Sequence, residues 1–385
     1  MSDLAVAYDD PAGAEVSAPR RSRRPTPGLV LRTGLVLVAA ALPLYLPTSL
    51  LQTGLFAMSA IIGAIGLNVL TGTSGQLSLA HAFFLAVGAY GYAFFAGEDS
   101  IAGTNAVTGL GLPPAVALVL AVATTGLFGL LFSPISGRLR GIYLGVASLS
   151  LVAIGQHIMF NAPSVTGGFN GRNVPAFSLF GFSFSDSNPD LFVLNVPFGQ
   201  YERLWYLALG LVVVAYTFAK NILRARPGRA LQTVRDSEVA AAVMGVNVRR
   251  YKALAFVLSS MYAGLAGVLY ALTFSRIVPD AFGLEFSIDF LAMIIIGGLG
   301  SIGGAALGAV FVTALPQLLL QYGSAIPFLA QPGSGGVDAG SFARYVYGGL
   351  IVVVILFRPG GLASLGGLVR KRPRPEAEPG PEGQQ

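Results

Sequence analysis

Residues 253–274 read Ala253-Leu254-Ala255-Phe256-Val257-Leu258-Ser259-Ser260-Met261-Tyr262-Ala263-Gly264-Leu265-Ala266-Gly267-Val268-Leu269-Tyr270-Ala271-Leu272-Thr273-Phe274, with no Asp, Glu, Lys, Arg or His among them. A helix needs about 20 such residues to cross a bilayer core about 30 Å thick, so this run is long enough. Just before it the chain is the opposite, with eight basic residues from Lys220 to Lys252. An apolar run that abuts a basic loop is the pattern of a membrane helix leaving the cytoplasmic face. Outward from there the pattern repeats. Apolar stretches recur at 32–51, 53–71, 76–96, 112–133, 141–160, 203–222, 286–300, 303–322 and 344–357. They are continuously apolar rather than alternating, which excludes a lipid-spanning β-barrel. The expected fold is all-α, a polytopic transmembrane helical bundle of about ten spans with short Gly-interrupted segments in each half.

Composition agrees. Of 385 residues, 54% are hydrophobic and only 11% charged, against roughly 25% charged in a soluble globular protein. The mean hydropathy is +0.69. The 50 glycines lie inside apolar runs with no Gly-X-Y period, as suits helices whose backbones approach closely in lipid. No cysteine is present, which excludes disulfide and thiolate chemistry. His81 and His157 stand far apart in sequence, so no histidine-based metal site is expected, and no cofactor. The first apolar stretch follows a long polar leader without a small-residue cleavage site, so it reads as a span rather than a signal peptide.

The charges set the expected topology. Residues 1–28 read as a disordered basic arm, 29–362 as the transmembrane domain with the loop 223–252, and 363–385 as a disordered cytoplasmic tail. With the N-terminus inside, twenty basic residues fall on the cytoplasmic side and four (Arg172, Arg203, Arg276 and Arg344) fall outside. That is the positive-inside bias, and it predicts both termini in the cytoplasm and the segment 161–202 outside. Orientation also explains the net charge of +6, so no nucleic-acid partner is expected.

Few residues could do chemistry in the bilayer. The ionisable candidates are Arg32, His81, His157 and Asp289, and no two are spaced to form a site, so the chain does not read as an enzyme. The lysines Lys220, Lys252 and Lys371 are followed by Asn, Ala and Arg, so no Walker A motif exists. An active transporter built on this chain draws its energy from another subunit; an ion-driven secondary carrier is the alternative.

Loop 223–252 is where such a subunit would dock. Asp236 or Ser237 can cap a short helix whose first turn holds Glu238, and Gly245 suits its end. Glu238, Ala241 or Ala242, and Gly245 share one face, whose small residues admit either a partner or a lipid surface. Asn68, Gln76, Ser78 and His81 either line a pathway or bond between helices as polar glue. Thr166, Gly167, Gly168 and Asn170 form an outer gate or a plain glycine turn. Gly300, Gly304 and Gly308 make two overlapping GxxxG steps suited to helix packing. Trp205, Tyr201 and Tyr206 read as an interfacial belt. Gly-interrupted apolar regions at 63–91 and 297–308, one in each half, are the pattern of a midplane pathway in transporters.

The string Glu238-Val239-Ala240-Ala241-Ala242-Val243-Met244-Gly245 resembles the coupling loop of ABC importer permeases, with one residue inserted after the Glu. Its continuation Val246 to Ser259 is similar to the branched-chain amino acid ABC transporter permeases of the LivM type. Leu67–Gly72, Gly75–Phe84, Gly297–Gly304 and Leu356–Leu362 agree, in order, so the resemblance covers most of 60–362. It implies a permease of the bacterial plasma membrane that pairs with a second, LivH-type permease. Two cytoplasmic ABC ATPases and an extracytoplasmic solute-binding protein complete the importer. Coupling to the ATPases would rest on Glu238, Ala240, Ala241 and Gly245. The implied substrates are branched-chain or other hydrophobic and neutral amino acids; a similar branch carries urea and short amides.

Overall fold

A computed structural model describes residues 27–102, 105–139, 141–185, 192–193, 196–322, 339–357 and 360–364. The expected N-terminal arm lies outside these residues as far as 26, since Pro27 and Gly28 already belong to the first helix. The expected tail lies outside them from 365.

The chain is built from helices. They are α1 (Pro27–Ala41), α2 (Thr48–Leu67), α3 (His81–Ala96), α4 (Pro114–Arg138), α5 (Ile142–Asn161), the single turn α6 (Pro163–Thr166) and α7 (Gln200–Arg224). After them come α8 (Arg226–Asp236), α9 (Glu238–Val243), α10 (Val248–Phe274), α11 (Leu284–Gly297), α12 (Ile302–Tyr322) and α13 (Ala339–Phe357). A π-helical segment, Asn68–Thr73, prolongs α2. The strands are short: β1 (Ser100–Ala102), β2 (Asn105–Val107), β3 (Arg172–Asn173), β4 (Ser178–Leu179), β5 (Phe182–Ser183), β6 (Phe192–Val193), β7 (Val196–Pro197) and β8 (Arg276–Ile277). They form antiparallel pairs β1–β2, β3–β8, β4–β5 and β6–β7.

Among the described residues, six helices are long and apolar enough to cross a membrane: Thr48–Thr73, Pro114–Arg138, Ile142–Asn161, Gln200–Arg224, Val248–Phe274 and Ile302–Gln321. Thr33–Leu44, His81–Ala96 and Ser341–Phe357 are apolar but shorter, and α11 has 14 residues. Six full-length candidates therefore stand where ten were expected, although every expected stretch contains a helix. Two stretches are broken. The first, 32–51, ends its helix at Leu42–Leu44 around Pro43 and restarts at Thr48 after Pro47. The third, 76–96, is helical only from His81, and 16 residues at 1.5 Å each give about 24 Å, short of the bilayer core.

Helix α10 sits at the centre, against α2, α3 and α4, and α2 also packs on α7 and α12. Glycine permits this. A Cβ at Gly267 would stand 2.0 Å from the Leu85 carbonyl oxygen, and one at Gly88 2.2 Å from that of Gly264, so α10 and α3 meet backbone to backbone. Ser59 donates to the Ala266 carbonyl (2.7 Å) and Tyr262 to that of Ala215 (2.8 Å), which adds polar ties where no water competes. The large apolar side chains left outside, such as Leu127, Leu131, Val214 and Phe218, suit lipid contact.

Trp205 corrects an expectation. It is 3% exposed, lies over Gly54 and donates Nε1 to the Ala39 carbonyl at 2.8 Å. It packs α7 against α2 and holds α1, so it is not a belt residue. Tyr206 bonds the neighbouring Ala40 carbonyl.

Candidate functional site

The two Gly-interrupted regions, far apart in sequence, meet. After Ser74 the chain leaves the helix and runs without regular structure to Ala80, then α3 begins. Such backbone is tolerated at membrane depth only when protein satisfies its polar groups. Here the Gln76 N–H donates to Leu70, the Leu79 N–H to the Ser148 hydroxyl (2.8 Å), and Thr71 Oγ1 to the Gln76 carbonyl (3.1 Å). The second break is the turn Gly298–Ser301 between α11 and α12. Asn68 clamps it: its Nδ2 donates to the Ser301 carbonyl and its Oδ1 accepts from the Gly300 N–H, both at 2.8 Å. A Cβ on Gly72 would stand 2.4 Å from the Gly300 nitrogen, so no side chain fits between the breaks.

The four pathway candidates are all buried, Asn68, Gln76 and Ser78 in or beside the first break and His81 at the start of α3. Gln76 donates Nε2 to Ser74 Oγ (2.9 Å) and the Lys252 carbonyl (3.2 Å), and accepts at Oε1 from Ser136 (3.0 Å). Ser78 accepts from the Ala80 N–H at 3.3 Å. His81 opens α3 against the Phe290 ring, 4.7 Å between centroids, with Nε2 facing Gly63. In this conformation the amides of Asn68 and Gln76 are spent on the protein itself. The junction is a closed polar seam. Opening it would release donors and acceptors, each worth about 1 kcal/mol net.

Gly300 corrects a second expectation. It precedes α12 and has φ +82, a left-handed conformation that side chains resist, so it belongs to the turn, where it meets Gly72, and not to the packing face of α12. Gly304 and Gly308 do lie where α12 crosses α11: their Cβ atoms would fall 2.3 Å from the Gly297 oxygen and 2.0 Å from that of Met293.

The coupling-loop candidates form a helical hairpin at the same end of the bundle as both breaks. Helix α8 lies against α7, α10 and the π segment, and Arg235 near its end donates Nη1 to the Gly72 carbonyl. Ser237 then caps α9 by accepting from the Ala240 N–H at 3.2 Å. Gly245 carries φ +80 after it, and among the described residues nothing comes within 4 Å of its would-be Cβ. The face differs from the expected one. Glu238 turns inward and pairs with Lys252 of α10, which is 3% exposed, and Ala241 is fully buried. A buried ammonium demands a partner, and the carboxylate fourteen residues earlier supplies it. What α9 presents outward is Ala240, Ala242 and an apolar set, Val239, Val243 and Met244, at 73%, 84% and 64% exposure.

A family profile described as branched-chain amino acid transport system, permease component, matches residues 49–355. The chain belongs to this permease family. It is 30% identical over 341 residues to the high-affinity branched-chain amino acid transport system permease protein LivM of Escherichia coli (strain K12), covering 86% of this chain and 74% of that one. The LivM protein of Salmonella typhimurium gives the same identity and coverage. BraD of Pseudomonas aeruginosa, another such permease, is 27% identical, covering 82% of this chain and 92% of its own.

At the other end of this permease, the outer-gate candidates make an ordered cap. Thr166 Oγ1 donates to the Met159 and Ala162 carbonyls and accepts from the Gly168 N–H. Gly167 receives Asn105, Asn170 receives Arg276, and β3 pairs with β8. Arg172 is buried and donates to the Thr108 and Val165 carbonyls, both at 2.8 Å. Burial pulls its pKa down, and Asp99 opposes that. Of the other ionisable candidates, His157 is exposed on α5 and Asp289 half-buried on α11. Among the described residues, no three metal-binding side chains come together.

Sequence reading missed Ser136, Arg235, Lys252 and the apolar set on α9. Val239, Val243 and Met244 at i, i+4 and i+5 were a visible stripe. Lys252 gave a signal too, being a charge directly against the start of an apolar run.

Proposed function

We propose that this permease forms the translocation pathway of an ABC importer for branched-chain amino acids. It works beside a second, LivH-type permease and takes its energy from cytoplasmic ATPases and its cargo from an extracytoplasmic binding protein. In this reading the ten helical stretches cross or enter the membrane, both termini are cytoplasmic, and the cap near Thr166–Asn170 faces outside. Substrate passes near the junction of Asn68, Gln76, Ser78 and His81 when the breaks part, and α9 docks on an ATPase through Val239, Val243 and Met244. Glu238, Ala241 and Gly245 hold that helix in place, and Ala240 stands on the exposed side. The observation that carries the reading is the meeting of both helix breaks directly beside a hairpin with an unpaired apolar face.

Val243→Asp tests it. Docking would bury a valine side chain, worth about 1.5 kcal/mol or more, and a carboxylate there adds a desolvation cost. Since 1.4 kcal/mol is tenfold, ATPase affinity should fall at least about tenfold. The bundle should be untouched, because Val243 is exposed. Parental co-purification of ATPases together with parental leucine uptake would refute the docking face.

A further inference from the structure

Helix α9 is only six residues long, with a cap residue at one end and a positive-φ glycine at the other. A turn and a half held between such hinges would pivot when pushed, and the push would be lost. Two polar ties prevent this. The first runs from Glu238 to the buried Lys252 ammonium, then through the Lys252 carbonyl to Gln76, which is fixed in turn by Ser136 of α4. The second runs from Arg235, just before α9, to the Gly72 carbonyl. Both end on the same short piece of chain, 72–76, where the helix breaks.

We propose that Glu238, Lys252 and Arg235 are positioning residues that latch the hairpin to this break, so that ATPase movement at α9 is delivered to the junction. The proposal rests on the docking reading above and deepens it by naming how the force arrives. The pairing is costly to build: an ammonium is taken almost wholly out of water one turn into a membrane helix, where an apolar residue would pack at no electrostatic cost. The Glu238 tie lands on α10 at the residue whose carbonyl holds Gln76, and the Arg235 tie lands on Gly72, so the hairpin is joined to the break at both of its ends. Lys252 holds a partner on each side, Glu238 of α9 by its ammonium and Gln76 by its carbonyl, so one residue links the hairpin to the break.

The test uses the complete importer in proteoliposomes, with leucine as cargo, reading ATPase co-purification, ATP hydrolysis and leucine moved per ATP. Glu238→Gln with Lys252→Met removes the charges at nearly constant volume. Arg235→Gln cuts the second tie at an exposed position and serves if the buried variant fails to accumulate. Each should keep ATPase co-purification while leucine per ATP falls about tenfold, within the usual range of coupling between sites. Lys252→Arg should retain most of the ratio. A parental leucine-to-ATP ratio in the double variant, or in Arg235→Gln where the double variant does not accumulate, would overturn the latch. Failure of the docking reading looks different, as Val243→Asp would then bind ATPases normally.

Discussion

Replacing Gly267 by alanine measures how closely α10 approaches α3. In an unobstructed helix the change should stabilise, since alanine is favoured over glycine by about 1 kcal/mol. At Gly267 the added carbon would sit 2.0 Å from the Leu85 carbonyl oxygen, 2.8 Å from its carbonyl carbon and 3.0 Å from its Cα. Contacts between such atoms settle at about 3.5 Å or more, so the two helices must part by over an ångström. Nothing flexible can yield, because all three atoms are backbone. The separation also loosens the Gly88–Gly264 approach further along the same pair. Overpacking of this kind costs about 1–3 kcal/mol, which outweighs the propensity gain, and in lipid close packing is what holds helices together. Gly210→Ala on α7 is the control, with nothing within 4 Å of the new methyl. Thermal unfolding in detergent, followed by monodisperse recovery on size exclusion, should place Gly267→Ala below the parent and Gly210→Ala at or above it. Equal melting of the two variants would refute the argument.

At Gly245 the backbone has room, so the cost of substitution is conformational. Valine at φ +80 costs about 1 kcal/mol or more whereas asparagine tolerates that region, so leucine uptake should fall in Gly245→Val and persist in Gly245→Asn; equal uptake in both would remove the role of the positive φ. For topology, Ser185→Cys and Ser237→Cys in this cysteine-free chain should react from opposite sides of the membrane. Labelling of both by an impermeant reagent added outside would overturn the assigned orientation.

The sequence by itself determined the class of this protein. Runs such as 253–274, flanked by basic loops, allow no soluble fold, and hydropathy needs no partner to be read, because lipid is the same solvent for every helix. The cap at Ser237 and the stop at Gly245 were equally legible, since they depend on residues within a few positions of one another. What only the tertiary structure decided is where breaks and faces meet. The segment before His81 lies within an apolar stretch, and it can stay unwound because Ser148 of α5, with Thr71 and Leu70 nearby, satisfies its backbone. Glu238 sat on a plausible docking face until Lys252 claimed it, which turned Val239, Val243 and Met244 outward. Asn68 gained its role from Gly300 and Ser301, more than 230 residues away. Helical periodicity says which residues share a side of a helix, but only the packing of other helices says what that side faces.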